Sequence, residues 1–305
     1  MDLPGHAWGL EPLPGGYSGE TFVAEAAGER SVVRIYSGRG AARGPHAIEV
    51  DAAVLRLVRG LVPVPEVLEA RRADASAGTP ALLVTSWLTG ARLDDLLSNA
   101  DEHLVAALGS SLGLVLAVLA GMPMLRAGAF ADAELRIGSL PAGGDDLRSW
   151  VEQHSATGPL SEWGVSDLTG LQTTADRAQS LLDLSSRTCL VHGDFNPKNL
   201  LVDRHGTVTG VLDWEFAHAG GPLGDLGNLL RFERDPVFTE AVLRAFADRV
   251  PDGQLDLDDL LTRARAADLF ALVELAARVE PSPVVHRARD HLLAVARTGD
   301  LHATP

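Results

Sequence analysis

Three oxygen-bearing side chains set the chemistry open to this chain. Asp194 and Asn199 lie five residues apart in the polar stretch His192-Gly193-Asp194-Phe195-Asn196-Pro197-Lys198-Asn199, between the apolar runs Leu190-Val191 and Leu200-Leu201-Val202. A second carboxylate, Asp213, leaves the end of the next apolar run, Val208 to Leu212, and is followed by Trp214 and Glu215. Two carboxylates and an amide carbonyl are hard oxygen donors, suited to Mg2+, which binds through few protein groups and completes its shell on substrate phosphates. Taken singly, the same residues would be an ordinary polar turn with a solvated aspartate, or a His-x-Asp fragment of a metal hydrolase.

Elements able to position these groups are legible on either side. Thr21 to Ala26 and Ser31 to Ile35 are short strand-like runs around the turn Ala27-Gly28-Glu29-Arg30. Ala47 to Val58 carries Ile48, Ala52, Leu55 and Val58 at helical spacing, with Gly60 closing the helix. Val67 to Ala70 and Ala81 to Val84 read as two more strands, and Arg71 to Pro80 as an exposed loop. After Gly90 long helical patterns dominate, interrupted by the short strand-like runs around Asp194. The reading is an α+β chain of two lobes. Residues 1–89 form a small antiparallel-sheet lobe with one helix, and residues 90–305 a larger, mainly helical lobe.

The stretch from His192 to Val202 with Leu212-Asp213-Trp214-Glu215 resembles the catalytic centre of the protein-kinase-like superfamily, specifically its aminoglycoside phosphotransferase and choline kinase branch. The resemblance implies a bilobal kinase-like fold and a small-molecule kinase using ATP and Mg2+. Asp194 would orient the acceptor hydroxyl and take its proton, while Asn199 and Asp213 would hold the metal. Lys198 would stand near the transferring phosphoryl group, and His192 would brace the loop from beneath. Asp225 resembles the family acid that bonds back to that loop. The strand lysine of protein kinases has no counterpart, because Lys198 is the sole lysine of the chain. Arg34 occupies the corresponding place and can serve, since a guanidinium also bridges phosphate oxygens. Its helix partner is Asp51 or Glu49, which point to different sides of the helix. The loop from Pro14 to Thr21 resembles the nucleotide-covering loop, with Ser18 and Gly19 nearest the phosphates. Adenine would bind backbone groups of the connector Ser86-Trp87-Leu88.

Composition narrows the partners. The chain has 305 residues with Lys+Arg 26 against Asp+Glu 41, a net charge of -15 that disfavours nucleic acid. Cys189 is the one cysteine, which leaves no internal disulfide and no cysteine-built zinc site. The apolar stretch Leu104 to Leu125 reads as a buried helix and not a membrane span, because Asp101 and Glu102 flank its start. With no signal-like amino terminus, the expected location is cytoplasmic and the expected state a monomer or weak homodimer. Within the branch, an antibiotic of the aminoglycoside or a related natural-product class is the favoured hydroxylated acceptor. Its cationic groups would meet acids of the second lobe, with Glu215, Asp268 and Glu274 as candidates. A metabolite kinase (choline, ethanolamine, homoserine or a sugar-like acceptor) and a non-catalytic nucleotide-binding regulator are the alternatives.

Overall fold

The computed structural model describes residues 9–13, 20–26, 28–36, 43–74, 76–140, 144, 146–250 and 256–304. Its amino-terminal sheet is built in chain order from β1 (Gly9–Pro12), β2 (Glu20–Ala26), β3 (Glu29–Tyr36), β4 (Val67–Arg71) and β5 (Ala81–Ser86). All its pairings are antiparallel, in the spatial order β1-β2-β3-β5-β4. Gly28, at φ +81°, takes the left-handed turn that lets β2 and β3 pair from Ala26↔Glu29 to Glu20↔Ile35. Helix α1 (Ala47–Val58) spans the predicted range, and its Ile48, Ala52, Leu55 and Val58 are all buried. Gly60 (φ +81°) follows its end.

Beyond Gly90 come β6 (Ala91–Arg92), α2 (Leu93–Leu97), α3 (Glu102–Ala120), β7 (Gly128–Ala129), α4 (Leu147–Ser155) and α5 (Val165–Leu182). The centre follows as β8 (Cys189–Val191), β9 (Leu200–Val202), β10 (Val208–Val211), β11 (His218–Gly220) and α6 (Gly224–Leu230). Helices α7 (Pro236–Ala247), α8 (Leu257–Ala277) and α9 (Pro283–Thr298) complete the chain. The central strands form two three-stranded sheets, β10-β9-β6 and β7-β11-β8. The short β1, β6, β7 and β11 were not anticipated; runs of two to four residues carry too little periodicity to be read.

Two apolar clusters organise these elements. One runs from α1 and Leu83 through Phe195, Leu200 and Trp214 to α3 and α7. The other joins α4, α5, α8 and α9 around Leu171, Ala266, Leu272 and Leu292. Helix α3 is long and apolar enough to cross a bilayer. In the fold one of its faces closes against α7, with Leu108, Leu112 and Leu116 buried. Asp101 caps its start by accepting from the Leu104 N–H at 2.8 Å. The two backbones approach through glycine. A Cβ on Gly113 would lie 2.4 Å from the Val242 carbonyl oxygen, and one on Gly109 2.7 Å from that of Phe238.

That packing sets an outcome. Gly113→Ala should lower the urea midpoint, at a cost of about 1–3 kcal/mol for an overpacked helix contact. Gly221→Ala, with nothing within 4 Å of the new methyl, should stay within about 0.5 kcal/mol of the parent. Equal midpoints for the two variants would mean that the α3–α7 contact is not close-packed.

Candidate active site

The polar loop between β8 and β9 is held from below by two buried groups. His192 is fully buried; its Nε2 lies 2.9 Å from the Leu212 carbonyl oxygen and its Nδ1 accepts the Asp194 N–H at 3.1 Å. Those partners require the neutral ring with its proton on Nε2. Burial depresses its pKa, and Trp214 packs against the ring at 4.6 Å between centroids. Asp225, in the first turn of α6, accepts the N–H groups of His192 at 2.7 Å and Gly193 at 2.9 Å. Gly193 adopts φ +83°, and a Cβ there would lie 2.5 Å from the Phe216 carbonyl oxygen. The loop therefore turns under constraint at Gly193, and the next residue, Asp194, emerges toward solvent.

Asp194 itself is fixed at both carboxylate oxygens. Asn196 Nδ2 donates to Oδ1 at 2.6 Å, and Asn199 Nδ2 donates to Oδ2 at 2.8 Å and to the Asp194 carbonyl at 2.9 Å. With its nitrogen turned to Asp194, the Asn199 amide keeps its oxygen for another partner. Lys198 Nζ stands 3.5 Å from Asp194 Oδ2. The Asn199 carbonyl accepts the Leu212 N–H at 2.8 Å, which brings Asp213 beside the loop. Asp213 takes φ 63°, ψ 62°, a left-handed conformation uncommon for a residue with a Cβ and found at sites that store strain.

Across the cleft, Arg34 of β3 reaches the same carboxylates. Its Nη1 lies 3.0 Å from Asp213 Oδ1 and its Nη2 pairs with Glu215 Oε2. Burial alone would lower the Arg34 pKa, but Asp213 and then Glu215 raise it further. The expected pairing of Arg34 with an α1 acid is corrected here. Asp51 makes a bidentate pair with Arg43, both contacts 2.7 Å, and accepts the Tyr36 hydroxyl at 2.6 Å. Glu49 pairs with Arg72 and lies 3.2 Å from His46. The physical reason is reach: the short Asp51 side chain is buried against Tyr36, whereas Arg34 extends past it to the second lobe. Asp51 still contributes to the field at Arg34. Glu215, nearly buried, joins the two systems through Arg43 at 3.8 Å.

The other expected site residues fall as follows. Ser86 spends its hydroxyl on the Glu66 N–H at 2.9 Å, and its own N–H goes to the Glu66 carbonyl. Leu88 packs on Gly210 of β10, where a Cβ would lie 2.9 Å from its methyl. Ser18 and Gly19 lie outside the described residues. Asp268 is not part of an acceptor wall; it is buried and takes the Arg231 guanidinium in a bidentate pair at 2.7 Å. Glu274 is exposed on α8, 3.6 Å from Arg278 one turn on. Unanticipated residues complete the site. Asn228, oriented to satisfy both ends of its amide, donates to the Phe195 carbonyl at 3.2 Å and accepts from Arg231 at 2.9 Å. Asn196 was visible in the loop, but a bond to the residue two before it has no sequence signal. Arg43 had none either.

Comparison with known proteins follows the geometry. A profile of the phosphotransferase enzyme family matches residues 9–255. The chain belongs to this family. Curated relatives align only locally: 56% identity over 39 residues with the clavilactone A biosynthesis cluster protein Y of Ampulloclitocybe clavipes, and 35% over 87 residues with acyl-CoA dehydrogenase family member 11 of Rattus norvegicus. These alignments take in 12% and 28% of this chain, which spans about a tenth of the length of either relative. Solved structures match over nearly the whole chain. The GDP and kanamycin complex of APH(2")-IIIa superposes with TM-score 0.69 at 18% identity, covering 98% of this chain and 96% of that one. A thermostable variant of aminoglycoside phosphotransferase APH(4)-Ia, with AMP-PNP and hygromycin B, gives 0.66 at 20% identity, covering 95% and 94%. At such identities these likenesses show that the family member has their fold.

Two outcomes follow from the buried groups under the loop. Asp225→Ala strands two buried N–H donors, and each unsatisfied group costs about 1–3 kcal/mol; the urea midpoint should drop accordingly. A midpoint unchanged by that substitution would remove Asp225 as the loop's anchor. Burial also holds the His192 and His218 pKa values below the ordinary histidine value. The native rings stay neutral while the unfolded chain protonates them below about pH 6.5. Their contribution to stability is present above that pH and is lost as pH falls, so unfolding at pH 5.5 should take up protons and occur at lower urea than at pH 7.5. A midpoint equal or higher at pH 5.5 contradicts this.

Proposed function

We propose that this chain is an ATP-dependent O-phosphotransferase that moves the γ-phosphoryl group of Mg-ATP to a hydroxyl of a small molecule, an aminoglycoside or related antibiotic. The observation that carries the reading is one linked set: Asn199 bonds the Asp194 carboxylate, the Asn199 carbonyl accepts the Leu212 N–H beside Asp213, and Arg34 pairs with Asp213, which gathers a fixed carboxylate, a metal-competent amide oxygen, a second carboxylate and a phosphate-binding cation. Solved relatives of the same fold hold GDP with kanamycin, and AMP-PNP with hygromycin B, and this supports the substrate class.

The donor set fits Mg2+. No group of three His, Cys, Asp or Glu side chains that could enclose a metal exists among the described residues. One carboxylate and one amide oxygen suit an ion shared with a nucleotide. Asn199 Oδ1 and Asp213 would hold it, and when bound the ion neutralises charge on the phosphate oxygens. The chain's own residues do the rest. Asp194 accepts a hydrogen bond from the acceptor hydroxyl, so that oxygen faces the γ-phosphorus in line with the leaving ADP. As the new O–P bond forms and the Pγ–O bond to ADP breaks, the hydroxyl proton passes to Asp194 and then to solvent. Asn196 and Asn199 keep the carboxylate from rotating, because each holds one oxygen. Arg34 would turn from Asp213 and Glu215 toward phosphate oxygens, and Lys198 supplies a second cation beside Asp194.

The test is ADP release over a panel of aminoglycosides, macrolides, peptide antibiotics and amino alcohols. Asp194→Asn should lower kcat by about 100- to 10,000-fold, the worth of a positioned general base, with nucleotide affinity within twofold of the parent. Arg34→Ala should raise the nucleotide KM by about tenfold or more, the loss of a charged hydrogen bond. Nucleotide binding with no ADP release above the water rate for any acceptor would overturn the reading in favour of a regulator. Undiminished turnover in Asp194→Asn would overturn the base assignment.

A further inference from the structure

A concentration of positive charge lies in the second lobe, apart from the residues that phosphotransfer uses. Arg234, Arg265, Arg287 and His291 gather beside the buried Arg231–Asp268 pair, in a chain whose net charge is -15. Arg234 Nη2 lies 3.4 Å from His291 Nε2, and Arg265 Nη1 lies 2.6 Å from His302 Nδ1. The Arg287 guanidinium sits 4.5 Å over the Phe232 ring, which is 5.9 Å from the His291 ring. Asp268 already neutralises Arg231 through both carboxylate oxygens. Glu233 spends one oxygen, Oε1, on two backbone N–H groups at 2.7 Å. The remaining like charges act on one another. Burial first, and then Arg234, Arg265, Arg231 and Arg287, push His291 down to about 4. Burial and then Arg234 push Arg265 down to about 10, against the opposing pull of Asp300 and Asp268.

Hydrogen bonding is out of balance in the same place. Four buried side-chain polar atoms among the described residues have no partner, and three of them are Arg234 Nε, Arg265 Nε and His291 Nδ1. All three are donors. A guanidinium Nε always carries hydrogen, and His291 Nε2 faces the Arg234 guanidinium, which leaves the ring proton on Nδ1. His291 is only 4% exposed, so bulk solvent does not reach it. Buried donors are rarely left unpaired, because each costs its full desolvation. What the cluster lacks is an acceptor carrying negative charge and several lone pairs.

We propose that Arg234, Arg265 and His291, with Arg287 at the exposed rim, form a binding site for a phosphate oxyanion. A tetrahedral oxyanion offers more acceptor oxygens than a planar carboxylate, and its charge offsets that of the cluster. A cavity of about 580 Å³ adjoins. Thr262 and His302 line it, and the His302 ring bonds both Thr262 and Arg265, so that ring stands between the cavity and the cluster. The site is independent of the phosphotransfer reading and would stand if that reading fell.

Thermal unfolding of the full chain in inorganic phosphate, against chloride at equal ionic strength, tests it. Phosphate at a hundredfold excess over its Kd should raise Tm by about 5 °C beyond the chloride control. In Arg265→Gln the phosphate shift should be lost, while Tm in phosphate-free buffer is unchanged or higher, since a like charge has gone. A merely structural Arg265 would instead lower that Tm and leave the shift intact. Arg244→Gln, at an exposed pair with Glu240 on α7, should keep the whole shift. Loss in Arg265→Gln alone also separates this site from phosphate bound in the nucleotide cleft. Should Arg265→Gln fail to fold, calorimetric titration of His291→Gln with phosphate gives the same reading. Glycerol 3-phosphate distinguishes the source: if it binds as phosphate does, the site takes the end of a monoester, and if phosphate alone binds, it encloses a free ion. No phosphate-specific shift in the parent, or an undiminished one in Arg265→Gln, overturns the proposal.

Discussion

A single buried carboxylate holds together what the cleft needs. Asp225 sits at the start of α6, where the helix dipole favours its charge, and it spends that charge on the two N–H groups at the turn into the Asp194 loop. Burial works against it and raises its pKa, while the bonds to His192 and Gly193 lower it. The balance explains why the turn is built from special residues. Gly193 adopts a left-handed conformation that other residues take rarely, with the Phe216 carbonyl where a Cβ would lie, so Asp225 can reach two successive amides. His192 then carries the constraint to the neighbouring strand through Leu212, one residue before Asp213. One anchored turn thus fixes both carboxylates of the site relative to each other.

The cleft's electrostatics follow from that anchoring. Asp213 and Glu215 are presented to the amino-terminal sheet, and Arg34 and Arg43 come down to meet them. Arg43 in turn is held by Asp51, and Asp51 by the Tyr36 hydroxyl, whose pKa burial and Asp51 both raise. The two lobes are therefore joined by a charge network and not only by the apolar cluster that runs beneath it. Glu215 is the pivot of the network, since it faces both guanidinium groups and is nearly inaccessible to solvent. With Arg34 drawn to Asp213, the strand cation already lies at the edge of the donors proposed for the metal, and a short displacement would serve to exchange a carboxylate for a phosphate.

Legibility in the amino-acid sequence divides along the same physical line. Contacts within a few residues could be read: the strands about Gly28, helix α1 from Ala47 to Val58, and the loop that aligns Asp194 with Asn199; the anchoring role of Asp225, 33 positions from His192, was reached only through the family resemblance. Partners that the fold alone brings together could not. Arg34 and Asp213 are 179 positions apart, and Arg231 and Asp268 are 37 apart. A choice between Asp51 and Glu49 assumed that the helix must supply the acid, whereas Glu215 supplies it from the far lobe. Short strands such as β7 and β11 escape for a different reason, because two or three residues pair only where a neighbouring edge is already in place.

Charge counting misleads in an instructive way. The excess of acid in the second lobe was a reason to expect a wall for a cationic acceptor. Part of it is otherwise engaged: Asp256 begins α8 with Asp258 and Asp259 in its first turn, where negative charge suits the helix dipole. Asp268 neutralises a buried arginine. What stands out locally has the opposite sign, a set of arginines and a histidine whose donors outnumber their acceptors. Net charge averages over surfaces that water screens, while a buried imbalance of a few groups is felt at low dielectric and must be answered where it lies. A protein of strongly negative total charge can for that reason hold an anion at one place, and the unpaired donors, not the sum, say where.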